Sequence, residues 1–250
     1  MHPRHDSCLI EPKRGRREEP LPPLALLVFS PEDLTSFSTC FPTPPRRSHK
    51  LYLADVLIGS FERSEICLAG PMLGAPQTIL VLERMIALGA TKFIAAGWCG
   101  SLQNNVRIGD IVLPSSAISE EGTSSHYPGA SPTPSPLMTT PLRSALTSSG
   151  LTVHEGSVWS TDAPFRETFH KVKDFQSAGV LSVDMETSAL FTVSRFRNVD
   201  LAVVLVVSDD LSDFKWKHGF RDPAFKEARK KVVTSTLTAI CNADGTISAP

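Results

Sequence analysis

Neither sign of charge dominates this chain of 250 residues. It carries 25 basic and 26 acidic residues, for a formal net charge of -1 at pH 7. Proteins that bind nucleic acid or an anionic membrane surface present an excess of Lys and Arg, which this sequence lacks. We therefore expect no nucleic-acid partner and no membrane partner.

Long apolar runs are also missing. No stretch of the sequence approaches the roughly 20 apolar residues that a membrane-spanning helix needs. The charged N-terminus contains no apolar segment followed by a small-residue cleavage site, as a secretory signal would. These two absences predict a cytoplasmic protein.

Cysteine and histidine are sparse and scattered. The five cysteines are odd in number and have no metal-type spacing, and the seven histidines do not cluster. Such cysteines are typical of reduced thiols rather than of a disulfide framework. We expect no metal site, because structural metals require closely spaced Cys and His ligands.

Apolar strands alternate with amphipathic helices along the chain. Leu24–Phe29 is an apolar run that predicts a strand, and Ala75–Leu88 has helical spacing and is followed by Gly89, a helix-stop signal. Asp200–Ser208 is almost continuously apolar, which is typical of a strand buried on both faces of a parallel sheet. The pattern predicts an α/β protein.

The chain shows no internal repeat and no domain boundary beyond its N-terminal tail. Residues 1–20 are charged and contain prolines, so we expect a disordered tail. Residues 21–250 are predicted to form one three-layer α/β/α domain around a central mixed, mostly parallel sheet. We expect loops at Pro42–Lys50 and Pro128–Pro136, and a turn at Gly97–Gly100.

Two carboxylates follow predicted strands. Glu186 follows the short strand Val180–Met185 and begins a helix, and Asp209 follows the apolar run that ends at Ser208. Open α/β sheets bind ligands beyond the carboxyl ends of their strands, so we expect both carboxylates to face one pocket. Such a pair suits a reaction that builds positive charge on a sugar and negative charge on its leaving group.

Four blocks follow one another in a familiar order: Ile94–Pro114 (IAAGWCGSLQNNVRIGDIVLP), Glu121–Tyr127 (EGTSSHY), Val183–Ala189 (VDMETSA) and Val207–Asp210 (VSDD). Together they resemble the nucleoside phosphorylase superfamily, in the branch of the purine nucleoside phosphorylases, uridine phosphorylases and methylthioadenosine nucleosidases. Four ordered blocks are far more specific than any one of them. The resemblance spans roughly Leu24 to Cys241.

The resemblance implies that Glu186 accepts hydrogen bonds from the ribose hydroxyls and stabilises an oxocarbenium-like sugar. Met185 would pack against the sugar, and Asp184 of the same block is counted with the substrate-binding residues. The alternatives are that Met185 fills the core and that Glu186 is a helix N-terminal carboxylate, favourable through the helix dipole.

Asp209 resembles the aspartate that protonates N7 of a leaving purine. Ser208 is counted with the substrate-binding residues, and Asp210 is expected to cap or support the segment. The alternative is that Asp209 itself is only a cap. An acid at this position favours a purine over uridine as the base, although the EGTSSHY block resembles the uridine-specific members.

Gly156–Thr168 occupies the place of the family's base-pocket segment. Trp159 is expected to stack on the base, or else to lie in the core or a subunit interface. Phe165 and Arg166 would line the pocket, with Arg166 as a donor to a base oxygen. Gly97 fits a tight turn at which the backbone approaches a ligand.

The sequence departs from the phosphorylases where phosphate would bind. Phosphate calls for arginines and backbone donors, yet Phe29–Leu34 (FSPEDL) contains neither glycine nor arginine. In Ile94–Trp98, alanine stands at the expected arginine and tryptophan at the expected hydroxyl. Phosphorolysis would then depend on Arg46, Arg47 or His49 reaching the site, either within the chain or from a neighbouring subunit.

The nucleosidases of the superfamily lack these arginines and carry a water-activating carboxylate after the first strand. Asp33 stands closest to that place, with Glu32 beside it. The alternative is that both acids simply begin a helix after Pro31.

Three functions remain open: ribosyl transfer to phosphate as the family default, hydrolysis of the nucleoside, and nucleoside binding without catalysis. The chemistry requires no cofactor, with phosphate as co-substrate only in the first. The resemblance implies a small-molecule nucleoside as ligand and a homo-oligomer, either a dimer or a hexamer.

Overall fold

The computed structural model of the chain describes residues 8–129 and 131–243. The strands are β1 (Leu24–Val28), β2 (Arg46–Leu51), β3 (Ala54–Phe61), β4 (Ser64–Gly70), β5 (Lys92–Ser101), β6 (Ile111–Glu120), β7 (Val153–Thr161), β8 (Ser182–Asp184), β9 (Asp200–Asp210) and β10 (Lys217–His218). The helices are α1 (Pro31–Ser38), α2 (Gly74–Leu88), α3 (Pro136–Ser148), α4 (Phe169–Ser177), α5 (Thr187–Phe196) and α6 (Pro223–Asn242). Short 3-10 turns lie at Ser124–His126 and Pro164–Arg166.

The described strands form one mixed sheet in the order β10-β9-β6-β7-β8-β5-β1-β4-β3-β2. A further pairing of β5 with β9 closes a circuit through β5, β9, β6, β7 and β8. The strands β4, β1, β5 and β9 run parallel, so their carboxyl ends meet at one edge. Over the described residues, parallel and antiparallel pairings are equally numerous.

Helices cover both faces of the sheet. In β1, Ala25 and Leu27 pack with α2 and α5, whereas Leu24, Leu26 and Val28 pack with α1, α3 and α6. Successive strand residues point to opposite faces, so a strand covered on both sides must be apolar throughout. This arrangement confirms the predicted three-layer α/β fold.

Several elements differ from the sequence-based expectations. Pro42–Lys50 is not entirely loop, because residues from Arg46 onward pair with β3 as the edge strand β2. The polar composition of β2 gave no strand signal in the sequence. Such a composition is usual for an edge strand that must not pair with other chains. The expected turn at Gly97–Gly100 is instead a continuation of β5 beside β9, and the Ser- and Thr-rich helix α3 was not anticipated.

The expected disordered tail falls partly outside the described residues, since residues 1–7 are not described. Residues 8–20 form no helix or strand and contact the domain through ion pairs, Glu18 with Arg84 at 2.6 Å and Glu19 with Arg46 at 2.5 Å. No helix within the described ranges is long and apolar enough to cross a membrane.

One partly buried ion pair joins the first and last helices, α1 and α6. Arg229 on α6 donates from Nη2 and Nε to Asp33 Oδ1 on α1, at 2.6 and 2.9 Å. Ser30 caps α1 by accepting from the Asp33 N–H at 3.0 Å. The guanidinium carbon of Arg229 also lies 4.6 Å from the centroid of the Trp98 ring. The pair therefore links α1, α6 and β5.

Replacing Asp33 with Asn should destabilise the fold through this pair. The side chains of Asp33 and Arg229 are 8% and 19% exposed, so the guanidinium would lose its charged partner away from water. We expect Asp33→Asn to lower the free energy of unfolding by about 1–3 kcal/mol in denaturant titrations. The control is Glu32→Gln, which removes an exposed acid from the same helical turn. Equal effects of the two substitutions would contradict a structural role for the pair.

Candidate active site

A cavity of about 540 Å³ opens at the edge where the parallel strands end. Its walls come from the segments that follow β1 and β4, from the ends of β5, β8 and β9, and from the 3-10 turn after β7. The lining residues are Phe29, Ser30, Met72, Leu73, Trp98, Cys99, Gly100, Pro164, Phe165, Glu167, Val183, Asp184, Met185, Glu186, Ser208, Asp209, Leu211, Trp216 and Phe220. Glu186 and Asp209 thus face the same space.

Glu186 stands between β8 and α5, at the N-cap position of the helix. Its Oε1 accepts a hydrogen bond of 2.6 Å from the N–H of Gly74, the first residue of α2. Burial, and then the neighbouring Asp184 carboxylate, raise the pKa of Glu186. Hydroxyl donors or a cationic sugar beside it would favour the charged form again.

Asp184 is held entirely by the protein. Its Oδ1 accepts from Ser160 Oγ at 2.5 Å, and its Oδ2 accepts from the N–H of Thr187 at 2.9 Å. Ser160 Oγ in turn accepts from the N–H of Ser188 at 2.9 Å. These bonds tie β7, β8 and the first turn of α5 together, and so fix the segment that presents Met185 and Glu186 to the cavity.

Asp209 is the second-last residue of β9, and two donors orient its carboxylate. Ser208 Oγ donates to Oδ1 at 2.6 Å, and the indole Nε1 of Trp216 donates to Oδ2 at 3.0 Å. Burial raises the pKa of Asp209 despite these bonds, and the Asp210 charge adds to the rise. The adjacent Gly100 leaves room for the carboxylate, since a Cβ there would lie 3.0 Å from Oδ2. Asp209 therefore faces the cavity with both carboxylate oxygens held by donors.

Two lining residues were not singled out from the sequence. Glu167 follows the Pro164–Arg166 turn, and burial together with the Asp209 charge raises its pKa to about 7. Its place inside the expected base-pocket segment was the signal that could have identified it. Trp216 reaches Asp209 from a loop after β9, and no sequence pattern predicts that contact.

The other expected binding residues divide between cavity and core. Met185, Ser208 and Phe165 line the cavity, with the Phe165 side chain fully exposed at its rim. Trp159 does not line it: the side chain is fully buried, donates to Glu120 Oε2 at 3.0 Å and stacks on a core phenylalanine. Two aromatic residues, Trp159 and Phe165, were expected to contact the base. Of these two, only Phe165 lines the cavity.

Gly97, Arg166 and Asp33 also lie outside the cavity wall. A Cβ on Gly97 would come within 2.9 Å of the Phe29 ring, so this glycine serves side-chain packing. Arg166 is exposed in its 3-10 turn. Asp33 lies behind Ser30 and is held by Arg229.

The EGTSSHY loop does not reach the cavity either. Glu121 is buried and accepts from the N–H of Thr123 at 2.6 Å and from Ser188 Oγ at 2.9 Å. Tyr127 donates to Glu83 on α2 at 2.9 Å. The loop therefore braces α5 and α2 from outside, and its likeness to a uridine-phosphorylase loop does not translate into a contact with a base in this cavity.

Aromatic rings occupy the end of the cavity nearest β1. Trp98 lies edge-on to Phe225 at 5.3 Å and beside Phe220 at 6.2 Å between ring centroids. Among the described lining residues there is no Lys, Arg or His. Arg46 and Arg47 point elsewhere and pair with Glu19 and with Asp55. One chain alone thus offers a cavity of acids and apolar groups.

No group of three or more His, Cys, Asp or Glu side chains within residues 8–129 and 131–243 is arranged to hold a metal ion.

Known proteins resemble both the sequence and the fold. A family model described as the phosphorylase superfamily matches residues 23–242. Guanosine phosphorylase from Halorubrum lacusprofundi is 25% identical over 190 residues, covering 75% of this chain and 79% of that protein. A DeoD-type purine nucleoside phosphorylase from Bacillus cereus is 31% identical over 157 residues, covering 61% of this chain and 67% of that protein.

Two solved structures share the fold. Purine nucleoside phosphorylase from Toxoplasma gondii, in complex with immucillin-H, superposes with a TM-score of 0.83 at 18% identity, covering 94% of this chain and 99% of that one. Uridine phosphorylase from Vibrio fischeri superposes with a TM-score of 0.79 at 21% identity, covering 89% and 93%. The fold is that of the nucleoside phosphorylases. The chain belongs to the phosphorylase superfamily.

The burial of Glu186 should be visible as a cost in stability. Its raised pKa means that the folded protein favours the neutral form of Glu186. The contribution of this neutral form to the free energy of unfolding is complete below the unfolded-state pKa, and it is lost as pH rises through the folded-state pKa. Glu186→Gln stays neutral throughout. We expect the variant to gain roughly 1–3 kcal/mol of unfolding free energy over wild type at about pH 8, and little at about pH 4.

The control for this comparison is Glu155→Gln, because the Arg143 hydrogen bond lowers the pKa of Glu155 and gives the opposite sign. Thermal unfolding at both pH values measures the effect. A gain for Glu186→Gln that is independent of pH would refute the electrostatic explanation.

Proposed function

We propose that this protein cleaves the N-glycosidic bond of a purine nucleoside. The observation that supports the proposal most strongly is the pair of acids, buried Glu186 and partly buried Asp209, on one cavity of nucleoside size. Purine-directed relatives among the matched sequences, a guanosine phosphorylase and a purine nucleoside phosphorylase, support the choice of base.

Each acid has a distinct role in bond cleavage. As the C–N bond breaks, its electron pair moves to the base and positive charge develops on the ribose. Glu186, ionised by its contacts with the ribose hydroxyls, stabilises that charge, and Met185 packs against the sugar. Asp209 donates its proton to N7 and so neutralises the leaving base. Ser208 and Trp216 hold the Asp209 carboxyl group in position.

Water is the acceptor that the cavity of one chain favours. Its wall carries four acids, Asp184, Glu186, Glu167 and Asp209, and no basic side chain among the described residues. A phosphate dianion there would find no Lys, Arg or His side chain to balance its charge. Asp33 remains a candidate for activating water only through Ser30, which lines the cavity and hydrogen-bonds to it at 2.8 Å.

Phosphorolysis is the second candidate, with the missing cations supplied by another copy of the chain. The names of the matched relatives favour it. So does the cavity rim, where Phe165, Leu73 and Trp216 are 100%, 71% and 64% exposed in a single chain. Apolar side chains exposed together in this way mark a surface that a partner covers, which fits a homo-oligomer.

Base release from inosine, adenosine, methylthioadenosine and uridine, with and without phosphate, tests the proposal. Hydrolysis predicts release without phosphate and free ribose as product. Release only with phosphate, yielding ribose 1-phosphate, would instead establish the second candidate. No release from any of the four nucleosides, with binding retained, would reject both and indicate a binding protein.

Replacing Asp209 with Asn should separate chemistry from binding. The amide keeps the size and polarity of the side chain but cannot donate an acidic proton. We expect the rate of base release to fall by about 10²–10⁴-fold while inosine still binds. The matched control is Asp210→Asn, because Asp210 accepts from the N–H of Ser212 at 2.7 Å and does not line the cavity. Turnover of Asp209→Asn close to that of wild type would contradict the assigned role.

A further inference from the structure

Glu167 has no role in the reaction as proposed above, yet it lies in the cavity wall with Asp209. Its backbone is fixed by the preceding turn, where its N–H donates to the carbonyl of Pro164 at 3.2 Å. Its carboxylate makes no hydrogen bond or ion pair within the part of the chain that the structure describes. A half-buried acid without a protein partner is available to a ligand.

The surroundings of Glu167 and Asp209 are mainly acidic on the cavity side. The charged groups that share the cavity wall or neighbour the pair in the chain are Asp184 and Glu186 in the cavity, Asp210 at the end of β9, Asp213, Lys215, Lys217 and His218 on β10 and the loop before it, and Arg166, His170 and Lys171 on the turn and α4. Lys217 pairs with Asp213 at 2.6 Å and Lys171 with Glu120 at 2.8 Å, so neither neutralises Glu167.

We propose that Glu167 recognises the substituent at position 6 of the purine, next to the contact of Asp209 with N7. When protonated it selects a 6-oxopurine nucleoside, and when ionised it selects a 6-aminopurine nucleoside. This inference rests on the proposed function, because Asp209 must face N7 for Glu167 to lie beside position 6.

The selection follows from the hydrogen-bonding pattern of the two bases. Along the edge that carries N7, adenine presents an acceptor and an amino donor, whereas a 6-oxopurine presents two acceptors. Asp209 in its protonated form donates to N7 of either base. An ionised carboxylate only accepts and therefore matches the amino group, and a protonated carboxyl group donates and matches the oxygen. In the two mismatched combinations, two acceptors or two donors face each other in the cavity, and no hydrogen bond forms between them.

Burial and the charge of Asp209 raise the pKa of Glu167 to about 7, so this switch falls near neutral pH. The preference for adenosine over inosine should therefore increase with pH. We expect the ratio of their kcat/KM values to rise at least about fivefold between about pH 6 and about pH 8 in the wild-type protein.

Glu167→Gln tests the assignment, since an amide both donates and accepts and does not titrate. Its ratio of adenosine to inosine kcat/KM should stay constant over the same pH range. Asp213→Asn is the control: it removes an exposed acid near Asp209 that does not line the cavity, and it should keep the wild-type slope. Inhibition of the wild-type enzyme by free adenine and by free hypoxanthine, at each pH, measures the same selectivity without a variant.

Three results would overturn the inference: a constant ratio in wild type, a slope retained in Glu167→Gln, or adenine and hypoxanthine inhibition that does not change with pH. If Asp209→Asn is inactive while the wild-type ratio stays constant, only the role of Glu167 fails. If neither purine nucleoside is cleaved, or if Asp209→Asn keeps full activity, the proposed function fails as well.

Discussion

The removal of carboxyl groups from water is the constraint on which the rest of this site depends. Glu186, Asp209 and Glu167 all have raised pKa values, and burial is the first cause in each case. Water solvates a carboxylate far better than an apolar cavity does, so burial shifts all three groups toward their protonated forms. The proton donor and the ribose contact that we propose both depend on that single effect.

The surrounding hydrogen bonds decide which acid is available to a ligand. Asp184 is equally close to the cavity, but Ser160 and Thr187 occupy its oxygens, so it acts as a brace between β7, β8 and α5. Glu186 accepts from the N–H of Gly74, and Glu167 receives no donor to its side chain among the described residues. Carboxyl groups in neighbouring positions thus differ in how far the protein itself occupies their oxygens.

At the end of the cavity nearest β1, an aromatic ring separates a cation from the cavity. Arg229 lies behind Trp98 and is held by Asp33, so its charge supports the wall instead of facing the ligand. The aromatic ring shields that guanidinium from the cavity, and a cation–π contact at this distance contributes to the packing. Arg229 was not foreseen because it lies almost 200 residues from Asp33 in the chain, and a distant ion pair leaves no local pattern.

Sequence reasoning succeeded where structure is determined locally. The strands β1 and β9 were predicted because burial on two faces makes each an apolar run. The helix α2 was predicted because burial on one face gives it amphipathic spacing. Sequence reasoning failed for β2 and for the end of β5, because those residues are strands only through pairing with neighbours. Gly97–Gly100 is strand because it pairs with β9.

For the site, the sequence by itself placed Glu186 and Asp209 at the carboxyl ends of strands, because strand ends and the acids beside them are both local features; Asp209 lies within the last two residues of β9 and not after it. Only the tertiary structure decided that Trp159 lies in the core, that Asp33 is engaged by Arg229, and that Glu167 and Trp216 reach the cavity. Those outcomes depend on which distant segments pack together. A side chain's burial and partners are properties of that packing, and a linear pattern does not contain them.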